Sequence, residues 1–164
     1  MSSGKNRAGA AMTHPTAARV QERLREAGFD VEVRELADST RTAAEAAAAV
    51  GCEVGQIVKS LVFVAGELPL LVLCAGDRRV DLDRLGADVR AARADEVRAA
   101  TGFAIGGVPP LGHDRPLRTV VDSSLRRFET VWCAAGTPHA VFSARLDDLL
   151  AALPEATVAD VAEA

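Results

Sequence analysis

Gly55–Phe63 reads GQIVKSLVF, and it sets a lysine inside an otherwise apolar extended run. Strands rich in Val, Ile, Leu and Phe with little alternation are usually covered on both faces, so an ammonium group at Lys59 is costly to bury there. At the strand's first residue its long stem can snorkel and carry the charge to the mouth of a cleft. After Val54 and Gly55 the run is read as a strand reaching Val64. Gly66-Glu67 then turns it into a second strand, Leu68 to Cys74, and a turn this short permits only an antiparallel hairpin.

Working outward toward the N-terminus, Thr42-Ala43-Ala44-Glu45 fits a capping box, followed by an alanine-rich helix that Gly51 ends. Thr42 thus has a sufficient structural task as an N-cap. Before it, DVEVREL from Asp30 to Leu36 alternates as a half-buried strand, and Pro15 opens an amphipathic helix with Ala17, Val20, Leu24 and Ala27 on one face and Gly28 as its stop. Residues 1–13 are small and polar and read as a disordered tail, or as an extension ahead of a start at Met12; residues 14–164 read as one domain.

Toward the C-terminus, Val80 to Leu85 leads into a short helix, Val89 to Ala92 is a brief edge strand, and Asp95 and Glu96 favour the start of a helix that Gly102 terminates. Thr101 to His113, TGFAIGGVPPLGH, cannot be helix or central strand. Two adjacent glycines and two adjacent prolines make a stiff loop whose backbone can approach a ligand and aim amide groups at a carbonyl or an oxyanion. Leu117 to Val121 is a strand, Asp122 caps a helical turn, Thr130 to Ala134 and His139 to Phe142 flank a Gly-Thr-Pro turn, and Ser143 is placed as the cap of a leucine-faced helix ending at Pro154. The last ten residues read as a tail. Hairpins with intervening helices make this an α+β fold with a mixed, largely antiparallel sheet.

At 164 residues and 49% hydrophobic the chain can build a single core, and with 4% aromatic residues that core is mainly Ala, Val and Leu. A net charge of −4 argues against nonspecific coating of nucleic acid and fits recognition of one short nucleic-acid end, with a shallow salt dependence. Three widely spaced cysteines, Cys52, Cys74 and Cys133, with no CxxC and no nearby histidine, point to no metal site and suit a reducing cytoplasm. No apolar run approaches the ~18 residues of a membrane span. No cofactor is implied.

Taken together, GQIVKSLVF, TGFAIGGVPPLGH, VVDSSL and CAAGTPHAVF before a closing helix with Asp-Asp-Leu resemble the YbaK/EbsC family, freestanding relatives of the editing insertion domain of bacterial prolyl-tRNA synthetase. The resemblance covers Pro15 to Leu153 and rests on the order and spacing of the segments. It implies a compact domain that hydrolyses the ester of mischarged aminoacyl-tRNA, with the acceptor end, and a synthetase, as partners. The family's strand lysine falls on Lys59 and its GxxxP loop on Gly106 to Pro110. The family often carries Ser where this chain has Pro109, which stiffens the loop and removes a hydroxyl.

On this reading Lys59 supplies fixed positive charge and the backbone around Gly106 and Gly107 holds the carbonyl oxygen, with Val108, Pro109 and Pro110 completing the loop. No Ser-His-Asp set stands at an arguable position, so direct attack by water is expected. Arg41 and Thr42 precede the pocket helix, where either can set the amino-acid preference; a small polar Thr42 favours Ser or Thr over Ala or Cys. His139 either contacts the amino acid or a water, or is a strand-end histidine at the surface. His113 has a weaker case, and Asp122 reads as a cap. Two other readings stand beside the enzyme: a non-catalytic module that binds aminoacyl-tRNA or a synthetase, and a hydrolase of small aminoacyl esters or thioesters unrelated to tRNA.

Overall fold

The computed structural model describes residues 14–37 and 42–164. The expected tail over 1–13 and Arg41 lie outside them. Helix α1 (Pro15–Glu26) turns Ala17, Val20 and Leu24 inward, and β1 (Arg34–Glu35) follows. Helix α2 (Ala43–Val50) carries the expected capping box: the Thr42 side chain accepts from Glu45 N–H, the Glu45 side chain accepts from Thr42 N–H, and Gly51 closes the helix in the left-handed region.

The central hairpin is β2 (Val58–Ala65) and β3 (Leu68–Ala75), antiparallel from Val58↔Ala75 to Ala65↔Leu68. The chain continues through β4 (Arg79–Val80), α3 (Leu82–Leu85), β5 (Val89–Ala91), α4 (Ala94–Thr101), β6 (Arg118–Asp122), β7 (Thr130–Ala134), β8 (Ala140–Arg145), α5 (Leu146–Ala151), β9 (Thr157–Ala159) and β10 (Ala162–Glu163). A five-stranded mixed sheet runs β5-β2-β3-β6-β9, with β6 parallel to both β3 and β9. Antiparallel β1-β8-β7 and β10-β4 form two smaller sheets. The α+β class with a mixed, largely antiparallel sheet is therefore what the chain adopts.

Strand alternation gives the five-stranded sheet two packed faces. Val58 and Val62 join Leu71, Leu73, Phe142 and Leu149 in the main core, while Phe63 joins Leu70, Val72, Val120 and Val161 on the other face. A third small cluster of Ala46, Ala47 and Ile57, with Trp132 against it, docks α2 at the end of the hairpin.

Four expectations are corrected. The run before Val58 is not strand: Val54–Gln56 is a single 3-10 turn, closed by Ile57 N–H to Val54 O, so Lys59 is the second strand residue. Gly55 is packed so closely on the Phe128 ring that an added Cβ would lie 2.8 Å from it. Of DVEVREL only Arg34–Glu35 finds ladder partners, Val141 and Ala140, although Val33 is buried as the alternation requires. Ser143 is a strand residue opposite Trp132, and the position before α5 is Arg145, which makes no side-chain cap; Asp147 and Asp148 in the first turn complement the helix dipole instead. Lastly, the final ten residues are no tail. β9 extends the five-stranded sheet and β10 pairs with β4, because Thr157, Val158 and Val161 supply β-branched side chains and the Asp122 carboxylate accepts from Val161 N–H at 2.8 Å.

Candidate active site

Between α2, β2, β7 and the loop after α4 lies a cavity of about 390 Å³. That is near the lower end of the ~300–1,000 Å³ usual for small-ligand sites. Ala43, Ala46 and Val50 come from α2; Trp132 and Cys133 come from β7; Ile105, Gly106 and Val108 come from the loop. The floor is β2 itself.

That strand has an open edge here. Ile57 bridges to Trp132, and Phe63–Ala65 pair with β5, but between them Val58–Leu61 pair on the β3 side only among the described residues. Val62 O accepts from Ala92 N–H on the β5 side. Because strand backbone groups alternate between edges, the N–H and C=O of Ser60 point the same way as that carbonyl, toward the cavity.

Lys59 and Ser60 point to opposite faces of the sheet. Lys59 shares its face with Leu61 and Phe63, and these three residues line both the cavity and a second, wider polar cleft formed by Gly76–Val80 and the chain end at Glu163 and Ala164. Half-buried, Lys59 donates through Nζ to the carbonyl of Arg78 in that cleft. Beyond it Arg127 makes a two-pronged pair with Asp77, at 2.7 and 3.0 Å, which holds the Asp77 carboxyl below the usual carboxylate range and raises Arg127. The apolar cavity and the polar cleft thus meet at the β2 edge.

The loop from Gly102 to His113 is held from behind. Arg19 and Arg23 on α1 donate to the carbonyls of Gly102 (3.4 Å) and Gly112 (2.7 Å), and Arg23 also pairs with Asp114 at 2.9 Å. His113 Nε2 lies 2.7 Å from Pro109 O, and burial pushes the His113 pKa down, favouring the neutral ring. Gly107 N–H donates to Ala104 O and Gly107 O accepts from Gly136 N–H, so this glycine is spent on holding the loop against the turn before β8. The N–H groups of Gly106 and Val108 have no acceptor among the described residues.

Of the residues singled out from sequence, Thr42, Lys59, Gly106 and Val108 line the cavity. Gly107, Pro109 and Pro110 are buried behind it and shape the loop rather than the wall. His139 is exposed and away from the wall; its carbonyl accepts from Leu36 N–H, which ties β1 to the turn before β8. Asp122 does cap, accepting from Ser124 N–H at 3.1 Å. Sequence reasoning passed over Ser60 and Trp132. The signal for Ser60 was present in KSLVF, since period-two alternation sets it on the face opposite Lys59, whereas Trp132 stood in a run with nothing to mark it as pocket-facing.

Among the described residues no histidine, aspartate or glutamate lines the cavity, and no group of three potential ligands could hold a metal ion. Cys133 lines it, but complete burial raises its thiol pKa far above neutrality, which leaves it a poor nucleophile. No described helix is long and apolar enough to cross a membrane.

This chain belongs to the aminoacyl-tRNA editing domain family, whose model matches residues 37–152. Among curated proteins it is 35% identical over 111 residues to YwhH of Bacillus subtilis, covering 65% of this chain and 71% of that one. It is also 35% identical over 98 residues to proline–tRNA ligase of Lactobacillus gasseri, a match that takes in 56% of this chain and 17% of the ligase. A crystal structure put forward as a trans-editing enzyme for prolyl-tRNA synthetase superposes with a TM-score of 0.86 at 51% identity, over 92% of this chain and 99% of that one.

Proposed function

We propose that the protein is a trans-editing deacylase that hydrolyses the ester of mischarged tRNA carrying a small amino acid, serine or threonine in preference to alanine or cysteine, with proline tRNA as carrier. The observation that carries this reading is the small, mostly apolar cavity that opens at the β2 edge onto a cleft holding Lys59, Arg78 and Arg79. A short aminoacyl side chain fits the cavity. The ribose and phosphate of the terminal adenosine fit the polar cleft, and the ester between them falls beside Lys59 and the loop.

The chemistry follows from what lines the wall. Lys59 at the junction supplies positive charge for the phosphate or carbonyl side of the ester, and the amides of Gly106 and Val108 are available to the carbonyl oxygen as negative charge develops. With no general base beside a cavity serine or cysteine among the described residues, an acyl-enzyme has no support, and water attacks the ester carbon directly, aided by the free hydroxyl of the terminal ribose. Gly107, fully engaged within the loop, contributes by holding Gly106 and Val108 in place.

The test is hydrolysis of tRNA charged separately with Ala, Cys, Ser, Thr and Pro by wild type and Lys59→Ala. Loss of Ser and Thr esters with the wild type alone supports the reading, and survival of every ester at high protein concentration sinks it. The engagement of Lys59 by the Arg78 carbonyl favours one second reading, a module that binds an aminoacylated end without turnover; intact ester retained on the wild-type protein would make that the better account.

A further inference from the structure

We infer that Arg127 is a positioning residue for Lys59: by holding both oxygens of the Asp77 carboxylate it keeps that group off the lysine, whose charge stays available to the substrate. The inference rests on the deacylase reading and goes further, by assigning a residue that acts on the cation from outside the site. Lys59, Asp77, Arg78, Arg79 and Glu163 line one polar cleft, whereas Arg127 lines neither cleft nor cavity. Lys59 Nζ donates to the carbonyl of Arg78, the residue next to Asp77, yet among the described residues it makes no ion pair with either cleft carboxylate.

Asp77 is taken from the other side. Arg127 Nη1 and Nη2 donate to its Oδ2 and Oδ1 at 3.0 and 2.7 Å, while Arg78 Nε stands 3.8 Å from the same carboxylate, beyond hydrogen-bond length. A planar guanidinium matches two carboxylate oxygens at once and an ammonium does not, so Arg127 outcompetes Lys59 for Asp77. Arg127 is itself fixed: its Nε donates to the Ser124 carbonyl at 2.7 Å, and its guanidinium lies 4.8 Å over the Phe128 ring. Gly55 leaves room for both, since a Cβ there would stand 2.8 Å from that ring and 3.1 Å from Arg127 Nη2. The first residue of GQIVKSLVF thus serves the lysine four positions on.

The consequence is electrostatic. An Asp77–Arg127 pair whose side chains are 38% and 35% exposed contributes little to stability, so its effect on its neighbours matters more. A carboxylate set against an ammonium cancels its charge toward any third group, and unlike charges hold each other more firmly in a partly dry cleft than in water. Paired with Asp77, Lys59 would meet a phosphate or a developing oxyanion as half of a neutral couple. Resting on a neutral carbonyl, it meets them with its full charge.

The experiment compares wild type, Arg127→Gln, Arg127→Lys and the double variant Asp77→Asn/Arg127→Gln, on proline tRNA charged with whichever of Ser, Thr or Ala wild type removes fastest. Freeing Asp77 in Arg127→Gln is expected to lower kcat/KM about tenfold, and neutralising it in the double variant should bring the value back to within about threefold of wild type. Arg127→Lys keeps a cation on Asp77 and should fall between. A double variant as slow as Arg127→Gln overturns the inference, because Arg127 then serves the fold or the substrate directly. A second readout needs no substrate. The chain has two lysines, Lys5 and Lys59, so the NMR signal of the Lys59 ε-carbon is assigned by its loss in Lys59→Met. That signal should shift in Arg127→Gln and return in the double variant; a signal that stays in place overturns the inference whatever the kinetics show. If wild type hydrolyses none of the esters while the signal shifts and returns, the deacylase reading falls and the hold of Arg127 on Asp77 stands.

Discussion

Nζ of Lys59, the second residue of β2, donates to the main-chain carbonyl of Arg78, in the turn that follows β3. The lysine thereby closes the end of the hairpin it belongs to, and its charge stands at the junction of cavity and cleft. Lys59→Met keeps the stem and deletes the charge. It leaves the Arg78 carbonyl without that donor, and because the site is only half-buried the loss of stability is expected near the low end of ~1–3 kcal/mol. Urea unfolding should show that modest shift beside abolished ester hydrolysis; full activity in a stable variant would remove Lys59 from the chemistry.

Thr42 shows how a cap can be told from a specificity residue. Thr42→Ala removes the side-chain half of the capping box, the bond from Glu45 N–H, while the residue-42 N–H can still donate to the Glu45 carboxylate; the change is expected to cost about 1 kcal/mol, whereas Thr42→Ser keeps the hydroxyl and most of the stability. If Thr42 acts on the substrate only through the helix, Thr42→Ser should leave the ranking of Ser, Thr and Ala esters as in wild type.

The two loop glycines should fail differently. A Cβ on Gly107 would lie 2.4 Å from the Gly136 carbonyl oxygen and 2.8 Å from the Thr137 Cα, and these are backbone atoms that cannot rotate aside as a side chain could. Gly107→Ala is therefore expected to displace the loop and lower both the melting temperature and kcat. At Gly106 the nearest atom to an added Cβ is Pro138 Cγ at 3.7 Å, so the objection is conformational: φ is +90°, and an L side chain there costs about 1–2 kcal/mol. Thermal melts of the two variants should separate, with Gly107→Ala the lower.

Acidification should loosen the same loop through His113. Its folded pKa lies below the ordinary histidine value because burial opposes the charged ring. In the window between the folded value and about 6.5 the unfolded chain holds a proton that the folded chain does not, so stability rises with pH there and falls as pH drops below about 6.5. Melting temperature followed from pH 7.5 down to pH 5 should decline more steeply in wild type than in His113→Gln; parallel curves would show that His113 is not the responsible group.

Much of this was open to sequence reasoning, and the reasons differ by segment. Local rules found the α2 capping box and the glycine ends of α2 and α4, because caps and left-handed glycines are settled by residues a few positions apart. The hairpin and the loop after α4 were equally local. What escaped was decided by distant partners: the final strands take their form from β6 and β4, and Asp122, a cap by its neighbours, also anchors Val161 from 39 positions away. At the site, residue types singled out Lys59 and the glycine loop, but not that Gly107 would be consumed by Gly136, nor that Ser60 would be the group left wanting a partner.

The gap in β2 pairing between the Ile57–Trp132 bridge and the Phe63–Ala91 pair bears on solubility as well as on ligand binding. Unpaired strand edges are ordinarily templates for aggregation, and proteins cover, charge or shorten them. Here the open stretch is short, bounded by pairing at either end and recessed beneath α2 and the loop. The recess leaves little room for a foreign strand, so the fold keeps a set of backbone donors and acceptors in reserve without exposing an adhesive edge.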